Sequence, residues 1–222
     1  LSREDTSMKK IAVLTALLFA ALQIGYAQKV GLVLSGGGAK GAAHIGVIKA
    51  LEENGIPIDY ITGTSAGAIV GSLYAMGYTP EEMVELMLSE EFSYWQTGTV
   101  ENEYKYYFKR PDPTPEFGHF SIDMTDSLQV KASFLPQSLI NPIQMNQAFM
   151  ALFSQATAKA GWNFDNLFVP FRCVASDIYS KKAIIFKNGD LGEAVRASMT
   201  FPFFFQPIWK DSVPIFDGGI YD

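Results

Sequence analysis

From residue 29 onwards, short apolar runs alternate with segments in which apolar residues recur at helical spacing. Residues 29–34 predict a buried strand, and the following segment predicts a helix that carries Ile45 and ends near Asn54. A second strand is predicted over residues 58–61, followed at once by a helix of small residues over 66–76. This order of strands and helices indicates a parallel sheet with right-handed crossovers, and therefore an α/β fold.

The same kind of pattern continues in the C-terminal half of the chain. We expect helices over residues 80–89, 142–160 and 191–199, and strands over 171–176 and 182–186. The first of these helices opens with a capping box and a proline at its first position. These elements extend a single α/β domain over residues 28–222.

Residues 91–140 break this rhythm. They contain ten aromatic residues and four prolines, and no helical period persists in them. The segment therefore predicts an insertion of short strands and loops over one end of the sheet. Two interpretations stay open, an aromatic lid that faces a membrane and a compact satellite core beneath the loops.

The N-terminal segment has the organisation of a targeting signal. A basic start at residues 8–10 precedes an apolar run over 11–24, and Gly25-Tyr26-Ala27 supplies a small-x-small cleavage site before Gln28. The apolar run is shorter than the roughly 20 residues that span a bilayer. We therefore predict a leader over residues 1–7, a signal peptide over 8–27, and a protein that is exported to the periplasm, the outer membrane or the medium.

Composition excludes several classes of function. The formal net charge is −6, which disfavours nucleic acid as a partner. A single cysteine, Cys173, excludes an internal disulfide and a cysteine-based metal cluster. His, Cys, Asp and Glu do not cluster at ligand spacing, so we expect neither a metal nor another cofactor.

One stretch combines a strand, a sharp turn and a helix around a serine. Gly63-Thr64-Ser65-Ala66-Gly67 follows the strand at 58–61 and fits Gly-x-Ser-x-Gly, the pattern of a nucleophile elbow. Such a turn holds the Ser65 hydroxyl out at the end of the sheet, at a helix N-terminus that favours developing negative charge. The motif also fits a glycine-rich turn with a serine at a helix start, so it needs support from elsewhere in the chain.

A glycine-rich loop follows the first strand and permits three interpretations. Gly36-Gly37-Gly38-Ala39-Lys40-Gly41 fits G-x-G-x-x-G, and Asp59 follows 18 residues later, as in a dinucleotide site. A Walker loop is excluded because Lys40 precedes the last glycine. In the third interpretation, the backbone N–H groups of Gly36, Gly37 and Gly38 form an oxyanion hole.

The stretch Pro214-Ile215-Phe216-Asp217-Gly218-Gly219 favours the third interpretation. It places a carboxylate at a strand end, followed by two glycines that permit close approach of the backbone. A serine nucleophile needs a base within hydrogen-bond reach, and neither histidine, His44 or His119, follows a late strand. Asp217 does, so we infer a serine–aspartate dyad of Ser65 and Asp217.

Taken together, the Gly-Gly-Gly-x-Lys-Gly loop, Gly-x-Ser-x-Gly and a late Asp-Gly-Gly resemble the patatin-like phospholipases. The similarity covers nearly all of residues 29–222, including Ala175-Ser176-Asp177 and Val195-Arg196-Ala197-Ser198-Met199. It implies a three-layer α/β sandwich with a mainly parallel central sheet, and a lipid acyl hydrolase that works through an acyl-enzyme. Members of that family continue past Asp-Gly-Gly, so the resemblance also implies that the domain is truncated at Asp222.

The resemblance assigns roles to individual residues. It makes Ser65 the nucleophile, Asp217 the base and the backbone of Gly36, Gly37 and Gly38 the oxyanion donors. The supporting motif positions are Lys40, Gly41, Gly63, Gly67, Gly218 and Gly219. The implied partners are a phospholipid or other acyl ester and a membrane surface, while the oligomeric state stays open.

Several smaller hypotheses accompany this assignment. Part of residues 201–205, which hold four phenylalanines, lines an acyl-chain channel or else packs in the core. Lys40 is a solvated lysine or a head-group contact, His44 is a packed helix residue, and Asp177 and Arg196 form a structural ion pair. Two other functions remain as alternatives, a non-catalytic lipid-binding domain and a dinucleotide-dependent oxidoreductase.

Overall fold

The computed structural model describes residues 29–100, 119–123, 129–133 and 139–221, and the isolated positions 13 and 15. The predicted leader and signal peptide therefore lie outside the described residues, apart from those two positions. In chain order the strands are β1 (Gly31–Leu34), β2 (Tyr60–Thr64), β3 (His119–Asp123), β4 (Gln129–Ser133), β5 (Phe171–Asp177), β6 (Lys182–Phe186), β7 (Ile208–Lys210) and β8 (Val213–Asp217).

The α-helices alternate with these strands over most of the described chain. They are α1 (Ala43–Glu53), α2 (Ala66–Met76), α3 (Pro80–Leu88), α4 (Glu90–Thr97), α5 (Ile143–Lys159) and α6 (Leu191–Ser198). Short 3-10 helices precede α1, over Gly38–Ala42, and follow β8, over Gly218–Ile220. The α/β class predicted from the sequence is confirmed, and each predicted helix agrees with an observed one to within a few residues at its ends.

The central sheet is mixed, with parallel pairing in its N-terminal part. β1 pairs with β2, and β2 with β5, in parallel. β5 pairs antiparallel with β6 and β8, and β8 antiparallel with β7. Two of the antiparallel pairs follow from short connections, because β5 and β6, and β7 and β8, are joined by tight turns that reverse the chain.

Strand β5 pairs with three other strands, and this determines where β2 and β8 lie in the sheet. β6 pairs with residues 173–177 of β5, and so overlaps both β2, which pairs with 171–174, and β8, which pairs with 175–177. A strand has two edges, so β6 occupies one and β2 and β8 share the other. Because β2 and β8 run in opposite directions, their C-terminal ends meet on that edge.

The core lies between the sheet and the helices that pack on it. α2 packs against β2 and β5, α6 packs against β5 and β8, and α5 packs on α6. The largest fully buried side chains include Phe153 of α5, Phe171 of β5 and Leu73 of α2. Among the described residues, no helix is both long enough and apolar enough to cross a membrane.

The segment 91–140 differs from its prediction at its start. The sequence predicts short strands and loops, but residues 90–97 form helix α4. Ser89 caps the start of this helix by accepting a hydrogen bond from the Phe92 N–H, and Gly98, in a left-handed conformation, terminates it. The helix is short and largely polar, so its hydrophobic period is weak. The expected short strands are present as the antiparallel pair β3–β4. The rest of the segment, residues 101–118, 124–128 and 134–138, lies outside the described part of the chain.

Candidate active site

Ser65 occupies the sharp turn between β2 and α2. Its backbone lies at φ 54° and ψ −121°, a conformation that non-glycine residues rarely adopt, which costs on the order of 1–3 kcal/mol and clusters at functional sites. Gly67 permits the turn, because a Cβ at this position would lie 2.2 Å from the Leu34 carbonyl oxygen. At Gly63 a Cβ would lie 2.4 Å from the Gly67 carbonyl oxygen, so both motif glycines are required by close packing of backbone.

The glycine loop lies directly beside this turn. A Cβ on Gly36 would be 3.1 Å from Ser65 Cβ, and one on Gly41 would be 2.4 Å from Ala66 Cβ. His44 Nε2 donates to the Ser35 carbonyl oxygen at 2.9 Å and so ties helix α1 to the start of the loop. His44 is half-buried, and this contact agrees with the hypothesis that it is a packed or capped helix residue and not a catalyst.

Asp217 ends strand β8 and is buried, with 6% of its surface exposed. Its Oδ1 accepts a hydrogen bond from the Gly219 N–H at 2.9 Å, and its own N–H donates to the Thr200 carbonyl oxygen at 2.8 Å. The predicted close approach at the two glycines is present at Gly218, where a Cβ would lie 2.3 Å from the Val174 carbonyl oxygen. The carboxylate is thus held by the backbone that follows it.

The meeting of β2 and β8 brings the serine and the aspartate together. Thr64 lies opposite Val174 of β5, and Asp217 lies opposite the next residue, Ala175. A Cβ on Gly218 would be 2.8 Å from the Thr64 methyl group, which shows how closely the two turns approach each other. Within the described part of the chain, Ser65 Oγ makes no direct hydrogen bond with Asp217, and in unliganded enzymes such bonds are often long.

A cavity of about 1140 Å³ opens beside both side chains. Gly36, Gly37, Gly38, Ser65 and Asp217 all line it. The rest of the described lining is mostly apolar, and includes Ile69, Met87, Phe92, Trp95, Ile140, Met145, Phe149, Met199, Phe201, Phe204 and Phe205. The structure therefore places the predicted dyad and oxyanion loop at one side of a lipid-sized, apolar cavity.

Two other candidate residues lie away from the cavity. Lys40 is exposed and is not part of the described cavity lining, which agrees with a solvated lysine. Asp59 precedes β2, so it lies at the edge of the parallel strands opposite to the glycine loop. A dinucleotide site needs its acidic residue at the carboxyl ends of the strands, and this geometry therefore opposes the oxidoreductase alternative.

The hypothesis of an ion pair between Asp177 and Arg196 is wrong. Asp177 accepts hydrogen bonds from Tyr179 and Ser180 in the turn after β5. The Arg196 side chain is buried, bonds to Asn146, Thr200 and the Gln206 carbonyl oxygen, and lies over the Phe205 ring. Burial lowers the pKa of the Arg196 guanidinium to about 10.

The residues at the end of α6 that hold the site are not identified by sequence reasoning. The Ser65 N–H donates to Ser198 Oγ at 2.9 Å, and Ser198 Oγ in turn donates to the Val174 carbonyl oxygen. Two residues later the Thr200 carbonyl accepts the Asp217 N–H. Ser198 lies in a stretch that resembles the patatin-like phospholipases, but its bond to Ser65 spans 133 residues of sequence and leaves no local signal.

The site contains no recognisable metal centre within the described residues. No group of three or more His, Cys, Asp or Glu side chains in that part of the chain lies close enough to hold an ion. Cys173 lies on β5 behind the turn, and its thiol contacts the Ala194 carbonyl oxygen. Burial raises the pKa of this thiol to about 12, so Cys173 remains protonated at neutral pH.

Comparison with known proteins shows which family the chain is similar to. The model of the patatin-like phospholipase family matches residues 32–222. The chain is 31% identical over 196 residues to the lysophospholipase NTE1 of Pyricularia oryzae, covering 88% of this chain and 11% of that protein. It is 30% identical over 194 residues to human patatin-like phospholipase domain-containing protein 6, covering 86% of this chain and 12% of that one.

The fold of the chain is also similar to that of a solved structure. The crystal structure of VipD from Legionella pneumophila superimposes with a TM-score of 0.53 at 17% identity, covering 87% of this chain and 46% of that one. The chain spans about a tenth of the length of the curated relatives that it matches. Since the family model covers most of the chain, and the glycine loop, the Ser65 turn and Asp217 lie around one cavity, this chain belongs to the patatin-like phospholipase family.

Proposed function

We propose that this domain hydrolyses the acyl ester bonds of lipids, with Ser65 as nucleophile and Asp217 as general base. Ser65 Oγ attacks the ester carbonyl carbon while Asp217 accepts the hydroxyl proton. The backbone N–H groups of Gly36, Gly37 and Gly38 stabilise the oxyanion, and collapse of the intermediate expels the alcohol, which takes up the proton from Asp217. Water activated by Asp217 then releases the fatty acid and regenerates Ser65.

The observation that carries this proposal is the end-to-end meeting of β2 and β8 beside the glycine loop. It places the N–H-rich backbone of Gly36, the strained Ser65 and the buried Asp217 along one wall of the cavity. Oδ1 of Asp217 is engaged by the Gly219 N–H, which leaves Oδ2 for the serine proton. This is the set of groups that acyl transfer requires: a nucleophile, a base and oxyanion donors.

The cavity favours a substrate with a long acyl chain. Its size exceeds what a short ester needs, and its aromatic wall, formed by Phe92, Trp95, Phe201, Phe204 and Phe205, offers apolar contact rather than hydrogen bonds. A phospholipid or lysophospholipid fits this chemistry. The relatives named lysophospholipase and phospholipase support the same class of substrate.

A fluorescent fluorophosphonate tests the role of Ser65, because it reacts covalently with activated serines. We expect labelling of the parent chain and hydrolysis of a p-nitrophenyl acyl ester, and loss of both in Ser65→Ala. Ser72→Ala is a matched control, since Ser72 lies in the helix after Ser65, is fully buried and donates its hydroxyl proton to the Ile69 carbonyl oxygen of the same helix. Labelling that persists in Ser65→Ala would contradict the assignment.

A non-catalytic lipid-binding domain is the second candidate, since the same cavity could hold a lipid without turnover. It predicts a folded parent that binds a fluorescent fatty acid but neither labels nor hydrolyses esters. The strained backbone of Ser65 argues against it, because a binding pocket has no need of that strain.

The location of the protein is proposed from the sequence. Residues 8–27 act as a signal peptide, and the exported domain meets its substrate at a membrane surface. Expression of a chain that begins at Met8 should give a mature protein that begins near Gln28, which intact-mass spectrometry would detect. Retention of residues 8–27 on the protein recovered from cells would contradict export by this route.

A further inference from the structure

The backbone at Ser65 is tied to the sheet through a side chain rather than directly. Val174 of β5 lies opposite Thr64, so its carbonyl is the partner that the next N–H of a continuing parallel ladder would reach. At this point the chain turns away from the sheet. The Ser198 hydroxyl lies between the two groups, accepting from the Ser65 N–H at 2.9 Å and donating to the Val174 carbonyl oxygen.

We propose that Ser198 is a positioning residue for the nucleophile, and that its hydroxyl completes the ladder where the elbow leaves the sheet. This inference rests on the proposed function. Ser198 is fully buried at the C-terminal end of α6, so water has little access to replace it. Its single proton is donated to Val174, and its lone pairs are therefore free to accept from Ser65.

The Ser198 hydroxyl thus forms a bridge between the Ser65 N–H and the Val174 carbonyl oxygen, and this bridge restrains a strained part of the backbone. Ser65 holds φ 54° and ψ −121°, and a conformation of this kind persists only where surrounding contacts fix it. The bond to Ser198 restrains the Ser65 nitrogen, while the Ala68 and Ile69 N–H groups, at 2.9 and 3.2 Å, restrain its carbonyl oxygen. Removing the bridge frees one side of the turn and lets the hydroxyl move away from Asp217 and the glycine loop.

The bridge also removes one N–H group, that of Ser65, from those that can donate a hydrogen bond to the oxyanion. Because the Ser65 N–H is bonded to Ser198, it is not available to a tetrahedral intermediate. This is consistent with the proposed role of the Gly36, Gly37 and Gly38 N–H groups, whose residues line the cavity.

The same segment reaches the proposed base. Two residues after Ser198, the Thr200 carbonyl accepts the Asp217 N–H at 2.8 Å, and the Thr200 hydroxyl is held by buried Arg196 at 2.6 Å. The end of α6 therefore contacts the backbone of both members of the dyad. A shift of this segment therefore changes the relation between Ser65 and Asp217, whereas the Ser198 side chain itself does not belong to the described cavity lining.

The test is the rate of fluorophosphonate labelling per folded molecule, measured with ester hydrolysis for the parent, Ser198→Ala, Ser198→Cys and Ser72→Ala. We expect Ser198→Ala to label about tenfold more slowly or worse, with kcat reduced and KM unchanged, as for loss of one buried hydrogen bond. Ser198→Cys keeps a group of similar size that can accept and donate, and should recover part of the rate. Ser72→Ala removes an equally buried hydroxyl away from the turn and should label like the parent.

Parental labelling by folded Ser198→Ala would overturn the proposal, and so would an equal loss of rate in Ser72→Ala, which would indicate general destabilisation. If Ser198→Ala does not fold, Ser198→Cys decides, because a folded cysteine variant with the parental rate and KM contradicts a need for the stronger hydroxyl bridge. A parent chain that does not label at all would refute the proposed function itself, and this outcome is distinct from a failure of the Ser198 proposal alone.

Discussion

Thr64 and Asp217 lie opposite consecutive residues of β5, although they belong to strands that run in opposite directions. Consecutive positions on a strand are about 3.3 Å apart along its axis, so the turn after Thr64 and the turn after Asp217 are forced into contact. Ser65 is the first residue of one turn and Gly218 of the other. The relation between the proposed nucleophile and base is therefore set by pairing to one shared strand and does not depend on a flexible loop.

Asp217→Asn should abolish ester hydrolysis and leave the fold intact. Asparagine keeps an oxygen that can accept from the Gly219 N–H, at present 2.9 Å away, but it cannot take a proton from Ser65. We expect kcat to fall by about 10²-fold or more, as for loss of a general base, with an unchanged circular dichroism spectrum. Asp211→Asn is the control, because Asp211 is exposed in the turn between β7 and β8. Wild-type turnover by Asp217→Asn would remove Asp217 from the mechanism.

Phe204→Ala should change the preference for acyl-chain length. Phe204 lines the cavity and packs edge-on against Phe201, with ring centroids 5.7 Å apart, so its truncation widens the cavity wall. We expect kcat/KM to shift toward longer or bulkier chains across a series of p-nitrophenyl esters. Phe203→Ala is the matched control, since Phe203 is 78% exposed and lies outside the described lining. Equal profiles for both variants and the parent would count against an acyl channel at Phe204.

Two glycine-to-alanine changes should have opposite effects on stability. At Gly67 a methyl group would lie 2.2 Å from the Leu34 carbonyl oxygen, so the free energy of unfolding should fall by about 3 kcal/mol, the upper end of overpacking costs. Gly46 in α1 has open space within 4 Å of the position that a methyl group would take, and alanine is favoured over glycine in a helix by about 1 kcal/mol. Urea unfolding should show Gly67→Ala below the parent and Gly46→Ala above it. A stable Gly67→Ala protein with parental activity would refute the proposed packing of the elbow.

Cys173 should be unreactive in the native protein, and its titration should lower the free energy of unfolding as the pH rises in the alkaline range. Burial raises the pKa of its thiol from 9.0 to about 12. Between these values the unfolded chain loses the proton while the native protein keeps it, so the free energy of unfolding falls as pH rises. Below about pH 9 both states are protonated and this contribution is constant.

Two measurements check the behaviour of this thiol. Ellman's reagent should label Cys173 only after denaturation, and rapid labelling of the native chain at about pH 8 would contradict its burial. Urea unfolding between about pH 8 and 10 should show a steeper loss of stability in the parent than in Cys173→Ala. Equal slopes for the two proteins would show that the thiol titrates alike in both states.

Much of the fold could be predicted because its local signals are strong. Helix α2 has the predicted bounds, since Ser65 and Gly77 mark its two ends and small residues fill it. Helix α4 is not predicted although Ser89 and Gly98 cap it, because its short, largely polar sequence carries no clear period. The mixed character of the sheet depends on which strands pair across long stretches of chain, and the hydrophobic pattern does not specify that.

The candidate site divides in the same way. Ser65 and the glycines of both loops are identified by motifs, because tight turns restrict residue type over a few positions. The Ser198 bridge is not identified by a motif, because it joins residues 133 positions apart and the local sequence does not distinguish Ser198 from other serines. The position of Asp217 follows from its motif, whereas its contact with the Ser65 turn follows from the shared edge of β5.

The late position of β8 in the chain has a consequence for biosynthesis. The ribosome makes Ser65 long before it makes the bridge residue, 133 positions later, and the aspartate follows that residue. Until β8 emerges and occupies its half of the β5 edge, the nascent chain holds a serine without a base. The proposed dyad is therefore complete only after β8 has been synthesised and has paired with β5.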